Sequence, residues 1–163
     1  MEPKFENTGV IIPEPCKLIS TALTDHLIGP STGNRNRAGD HPGNTRPECE
    51  WTSRDTKGHK AKQGKIYAHV SAQTKRLIGE DEYLQSKAGY SAFISGKKCR
   101  QPAVSATQAC WYSDSTTALG VVIRKGYFVV WVSVTGSNSP GLTAAELPTS
   151  ADRVAEDIVQ GLP

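Results

Sequence analysis

The sequence predicts an α+β domain with an antiparallel sheet of about five strands, helices packed on one face, and two disulfides. Strand-like segments follow one another without the regular alternation of strands and helices that is typical of a parallel sheet. The chain ends in an amphipathic helical segment. It also carries four cysteines, an even number, and its 163 residues suffice for one domain with a sizeable core.

The first helix is predicted after a lead-in that has no hydrophobic periodicity. Residues 1–13 are interpreted as an N-terminal tether and residues 14–163 as a single domain. Ser20 or Thr21 can cap the N-terminus of the helix, and Gly29 can end it.

Two strands are predicted next, at 48–53 and 65–72, because apolar and polar side chains alternate along both. A second helix is predicted over 77–94, with a break at Gly89. The acidic run at 80–82 suits its N-terminal turn, where the helix dipole favours negative charge.

The strongest sheet pattern lies in the second half of the chain. Strands are predicted at 109–113, 118–124 and 127–135, where β-branched and aromatic residues are frequent. Lys125-Gly126 between the last two predicts a tight hairpin turn with glycine at the second central position.

The chain closes with the amphipathic helix. We expect Thr149 or Ser150 to cap it and Pro148 to block its extension toward the N-terminus. The stripe that we expect to be buried consists of Val154, Ala155, Ile158, Val159 and Leu162.

The four cysteines, Cys16, Cys49, Cys99 and Cys110, show no Cys-x-x-Cys spacing of a zinc or redox site. The histidines are also scattered, so we expect neither a metal nor a cofactor. An even count favours an oxidising compartment. Of the three pairings, we favour Cys16–Cys49 and Cys99–Cys110, because the second closes a short loop and the first ties down a long polar stretch.

Several function classes lack support in the sequence. The net charge of +3 is too mild for a nucleic-acid-binding face. No segment approaches the ~18–20 apolar residues of a membrane span, and the N-terminus has no signal-peptide pattern. Neither a Gly-x-Ser-x-Gly nucleophile motif nor a phosphate-binding glycine loop occurs. We therefore expect no enzyme, and a hydrolase is the weakest hypothesis.

The tryptophans supply the candidate binding residues. Tyr127 and Trp131 share one face of the last predicted strand, and the opposite face is apolar as well. If helices cover only one face of the sheet, the face that carries Tyr127 and Trp131 is left for a ligand. Trp111 is a further candidate. The competing interpretation is that these aromatic residues fill the core.

A second candidate surface is the basic segment between the first two predicted strands. Lys57, Lys60 and Lys62 lie there among other cationic residues. The segment is interpreted either as a solvated hairpin loop or as a contact for an acidic protein face or an anionic wall polymer.

Two short motifs carry a family resemblance. A helix opened by Pro-Cys-x-Leu at 15–18 and a Cys-x-Trp strand at 49–51, together with the Ala- and Val-rich final helix, resemble a family of actinobacterial lipoproteins of unknown function. The layout is distantly similar to the extracellular sensor domain of the mycobacterial kinase PknH. The resemblance implies a signal peptide with a lipobox before residue 1 and a lipid anchor. The long basic loop departs from the family pattern.

These observations predict a non-catalytic binding or sensor domain of an exported protein, at the cell surface on the outer face of the cytoplasmic membrane. The partner would be a protein or a small apolar or wall-derived ligand, with no nucleic acid, and the membrane would be reached only through the lipid anchor. The alternative is a protein–protein module, such as an inhibitor, an immunity factor for an exported toxin, or an adapter.

Overall fold

The computed structural model describes residues 2, 4–36, 40–41, 44–45, 47–54, 63–79, 84–106, 108–137 and 139–163, and their fold is of the predicted α+β class. The strands are β1 (Phe5–Asn7), β2 (Gly33–Asn36), β3 (Asp40–His41), β4 (Asn44–Thr45), β5 (Glu48–Arg54), β6 (Gln63–Ala72), β7 (Lys75–Leu77), β8 (Gln108–Tyr112), β9 (Leu119–Lys125) and β10 (Phe128–Ser137). The helices are α1 (Thr21–Ile28), α2 (Leu84–Ile94) and α3 (Leu147–Gly161).

The main sheet has six strands in the order β2-β5-β6-β10-β9-β8, and every neighbouring pair is antiparallel. β6 and β10 lie at its centre and pair over ten residues each, from Phe128 opposite Ala72 to Ser137 opposite Gln63. Two small antiparallel ribbons, β1 with β7 and β3 with β4, complete the described strands.

Helices cover both faces of the main sheet. β10 is apolar on both sides, and a strand of this kind needs cover on both. Alternate residues of β10 pack into the main core with α1 and α3, namely Phe128, Val130, Val132 and Val134. Val129 and Trp131 point the other way, toward Tyr90, Phe93 and Ile94 of α2. The expectation of helices on one face is therefore corrected, because α2 packs on the face that was expected to be open.

The two disulfides join Cys16 to Cys49 and Cys99 to Cys110, as predicted. The first ties a 3₁₀ turn before α1 to β5, and the second ties the segment after α2 to β8. Their loops span 33 and 11 residues, which by chain entropy corresponds to about 4 and about 3 kcal/mol of stabilisation. Two disulfides indicate an oxidising, extracellular environment.

α1 begins and ends where the sequence predicts. The Ser20 hydroxyl accepts a hydrogen bond from the backbone N–H of Leu23, and Gly29 ends the helix with a φ of 91°. The backbone N–H of Ser20 also donates to the Asp157 carboxylate of α3 at 2.9 Å. This contact fixes α1 against α3 on the same face of the sheet.

The second predicted helix is shorter than expected and has no break. Leu77 belongs to β7, which pairs with β1, and the Arg76 Nε atom lies 2.7 Å from a Glu6 carboxylate oxygen. The predicted tether thus contains a strand whose partner lies some seventy residues away. α2 runs through Gly89 without interruption. The predicted acidic turn at 80–82 lies outside the described residues.

The β9–β10 hairpin turn differs from the prediction. Because Phe128 pairs with Lys125, the hairpin loop is Gly126-Tyr127, and Gly126 occupies the first central position with a φ of 58°.

The helix α3 begins earlier than expected. Pro148 lies inside its first turn, where a missing backbone N–H costs nothing. The Ser150 hydroxyl donates to the Gly141 carbonyl, so it does not cap the helix. The buried stripe of α3 is confirmed at Val154, Ala155, Ile158 and Leu162, with Val159 partly buried.

Gly120→Ala should destabilise the domain, by about 1–3 kcal/mol as is usual for overpacking. A Cβ atom at Gly120 would overlap the ring of Tyr112, which is buried and cannot move away. The matched control is Gly89→Ala in α2, where the new Cβ would meet Val129 at an ordinary 3.7 Å. We expect the control to be neutral or to stabilise by up to about 1 kcal/mol. Urea unfolding measures both, and equal losses would contradict this packing.

Candidate functional site

The candidate site is a group of side chains on the α2 face of the sheet, called here the aromatic shelf: Glu48, Tyr67, His69, Phe93 and Trp131. Glu48, His69 and Trp131 are direct partners across β5, β6 and β10, so they form one row on one face. Tyr67 lies two residues along β6, on the same face. Phe93 reaches the row from α2. The sheet register therefore brings these residues together.

Trp131 is the centre of the shelf. Its ring meets the Tyr67 ring edge-on at 5.5 Å between centroids and stacks against Phe93 at 5.8 Å. Phe93 also contacts the His69 ring at 5.8 Å. Tyr67, Phe93 and Trp131 are each only partly buried, so the cluster forms a surface as well as a packing contact.

Gly120 determines how the Trp131 indole is held. Gly120 lies between Ser133 and Tyr112 in the next row of the sheet. Because it has no side chain, the Tyr112 ring can lie across it toward β10. The Trp131 indole N–H then donates to the Tyr112 hydroxyl at 3.0 Å. The ring orientation of Trp131 is thus fixed by a hydrogen bond to Tyr112, which lies in the next row of the same face.

The β5 side of the shelf is electronegative. The Tyr67 phenol hydrogen-bonds with the Glu48 carboxylate, and burial, this bond and the charges of Glu48 and Glu50 raise the Tyr67 pKa well above its usual range. A Glu48 carboxylate oxygen also lies 3.5 Å from Nδ1 of His69. Lys65 pairs with Glu50 at 3.0 Å in a largely exposed position, where such a pair contributes little stability.

The predicted binding residues lie apart in the structure. Trp131 lies in the shelf, but Tyr127 lies in the β9–β10 turn and lines a different cleft. Trp111 points to the opposite face, is 4% exposed, and is covered by the Arg100 guanidinium at 5.0 Å. The three lysines of the basic segment (Lys57, Lys60 and Lys62) lie outside the described residues, so the surface predicted there stays a prediction.

Four shelf residues were missed as candidates in the sequence: Glu48, Tyr67, His69 and Phe93. The alternation of β6 correctly places Tyr67 and His69 opposite the buried Ile66, Ala68 and Val70. It does not give the register with β5 and β10, which decides the neighbours of His69. The sequence signal for these residues is that β6 carries two aromatic rings, Tyr67 and His69, on the side facing away from the core.

Within the part of the chain that the structure describes, no group of three or more His, Cys, Asp or Glu side chains is arranged to hold a metal ion. Within the same residues, no helix has the length and apolar character needed to cross a membrane.

Comparison with known proteins adds no relative. No protein-family model matches the chain, and neither a curated protein nor a solved structure matches it.

The Tyr67 phenol should ionise late in the folded protein. Its folded pKa lies above the unfolded value of about 10, so stability should fall as pH rises above about 10, where only the unfolded state loses the proton. Tyr67→Phe should reduce this loss of stability. In an absorbance titration at alkaline pH, the variant should show one fewer phenol that ionises at unusually high pH. Burial also raises the pKa of Tyr90, so the Tyr90 phenol should still ionise at unusually high pH in both proteins. An identical pH slope in the variant would contradict the raised pKa of Tyr67.

Proposed function

We propose that this chain is a non-catalytic binding domain that works outside the cytoplasm and that its ligand binds at the aromatic shelf. The observation that carries the proposal is the cluster of three partly buried rings in which Trp131 contacts both Tyr67 and Phe93, beside the Glu48 carboxylate. Tyrosine and tryptophan at a surface supply large contact area at low entropic cost and are enriched in binding sites.

The chemistry of the shelf favours a ligand that carries a positive charge. Aromatic ring faces attract cations, and tryptophan attracts them most strongly. The Glu48 carboxylate adds negative potential at the same place. Burial is the first cause of the raised Tyr67 pKa, and the hydrogen bond to Glu48 and the charges of Glu48 and Glu50 add to it. The ligand class is therefore an amine, a quaternary ammonium group, or a lysine or arginine side chain of a protein partner.

The cellular setting completes the proposal. The disulfides favour an exported domain. The family resemblance of the Pro-Cys-x-Leu and Cys-x-Trp motifs supports an actinobacterial lipoprotein, held by a lipid anchor at the outer face of the cytoplasmic membrane. In that position the shelf would act as a sensor or capture surface for wall-derived or protein ligands.

Choline and its uncharged isostere 3,3-dimethylbutan-1-ol test the proposal. In NMR titrations of the oxidised protein, choline should shift the indole N–H signal of Trp131, while the neutral isostere should not. Trp131→Leu should weaken choline binding by about tenfold or more, followed through backbone signals of β6, because it removes the main cation–π contact.

Trp111→Phe is the matched control, since Trp111 lies on the opposite face of the sheet. It should leave choline binding unchanged. Equal responses to choline and to the neutral isostere, or full choline affinity in Trp131→Leu, would overturn the proposal.

A further inference from the structure

A cleft of about 450 Å³ lies at the β9–β10 turn, away from the aromatic shelf. The turn and strand ends contribute Lys125, Tyr127 and Phe128 to its lining, and the N-terminal segment contributes Val10 and Ile11. Its volume is within the range of about 300–1,000 Å³ that is common for small-molecule sites.

The cleft is formed because the N-terminal segment is fixed across the end of the hairpin. The backbone N–H of Thr8 donates to the Thr74 carbonyl at 3.0 Å, and its hydroxyl donates to the Gln73 carbonyl at 2.8 Å. The backbone N–H of Gln73 in turn donates to the Tyr127 carbonyl at 2.8 Å. This chain of bonds places residues 9–11 beside the turn.

The walls of the cleft are apolar. Val10 and Tyr127 are partly buried and pack against the main core, and Phe128 is 3% exposed. Ile11, in contrast, is 84% exposed, the highest value among the large apolar side chains that the structure describes as exposed. An isoleucine held at the mouth of a cleft with so little of its surface covered offers apolar area to a ligand.

Lys125 is the one charged side chain among the described residues that line the cleft, which Pro163 also lines. Its ammonium donates to the Leu162 carbonyl at 3.1 Å and to the Val159 carbonyl at 3.4 Å, at the C-terminal end of α3. These two bonds leave one of the three ammonium donors for another acceptor. Among the described residues, no carboxylate side chain forms an ion pair with Lys125. The carbonyls hold the lysine in place without neutralising it.

From this arrangement we infer that the cleft is a second binding site, for a small amphipathic carboxylate. The carboxylate accepts a charge-assisted hydrogen bond from the Lys125 ammonium. The apolar body of the ligand packs between Ile11 and Val10 on one wall and Tyr127 and Phe128 on the other. The site is independent of the aromatic shelf, which favours the opposite charge.

Octanoate, octan-1-ol and octyltrimethylammonium, each below its micelle concentration, are the probes. Isothermal titration of the oxidised chain should detect octanoate binding and show binding of the alcohol and the ammonium at least about tenfold weaker. Lys125→Gln should weaken octanoate binding by a similar factor. Lys98→Gln, at an exposed lysine that does not line the cleft, should leave octanoate binding unchanged.

Ile11→Ser keeps the test independent of folding. Lys125→Gln also removes the cation from the end of α3 and can lower the melting temperature, whereas Ile11 is nearly fully exposed and its replacement should not. Ile11→Ser should weaken octanoate binding several-fold with an unchanged melting temperature. No octanoate binding, equal binding of octan-1-ol, or full affinity in both variants would overturn the inference. The Trp131 indole signal should stay in place throughout, which separates this site from the shelf.

Discussion

β6 and β10 pair along ten residues at the centre of the main sheet. This pairing sets the neighbours of each side chain on both faces, because a slip of one residue would exchange the faces of the whole strand. On one face it assembles the core beneath α1 and α3. On the other it places Trp131 beside His69 and within ring contact of Tyr67. Core and candidate site are thus two results of one register.

Local pattern predicted much of the fold. The Ser20 cap, the alternation of β5 and β6 and the stripe of α3 depend on residues that are close in sequence, and all are confirmed. The failures involve distant partners. β7 is a strand because it pairs with β1, and its own three residues carry no strong strand pattern. The position of α2 follows from the second apolar face of β10, which the sequence displayed but which was interpreted as an open surface.

The candidate site was harder to predict than the fold. Trp131 was identified because an aromatic residue on a strand apolar on both faces is conspicuous. The alternation of faces along a strand predicts that Tyr127 shares the face of Trp131, but the turn at Gly126 places Tyr127 outside the strand. Glu48 joins the row of Trp131 only through strand register, and Phe93 contacts Trp131 only through helix packing. No local pattern encodes either. The shelf and the Lys125 cleft, the two sites that we propose, lie apart in the structure.

A double-mutant cycle between Tyr67 and Trp131 tests the register directly. Tyr67→Ala and Trp131→Ala, singly and together, should give a coupling of about 0.5–1.5 kcal/mol in the free energy of unfolding, as for other aromatic pairs in contact. The same cycle between Tyr67 and Trp111, which lie on opposite faces, should be additive within about 0.5 kcal/mol. Additivity for Tyr67 with Trp131, or coupling of Tyr67 with Trp111, would contradict the arrangement on which both the core and the shelf depend.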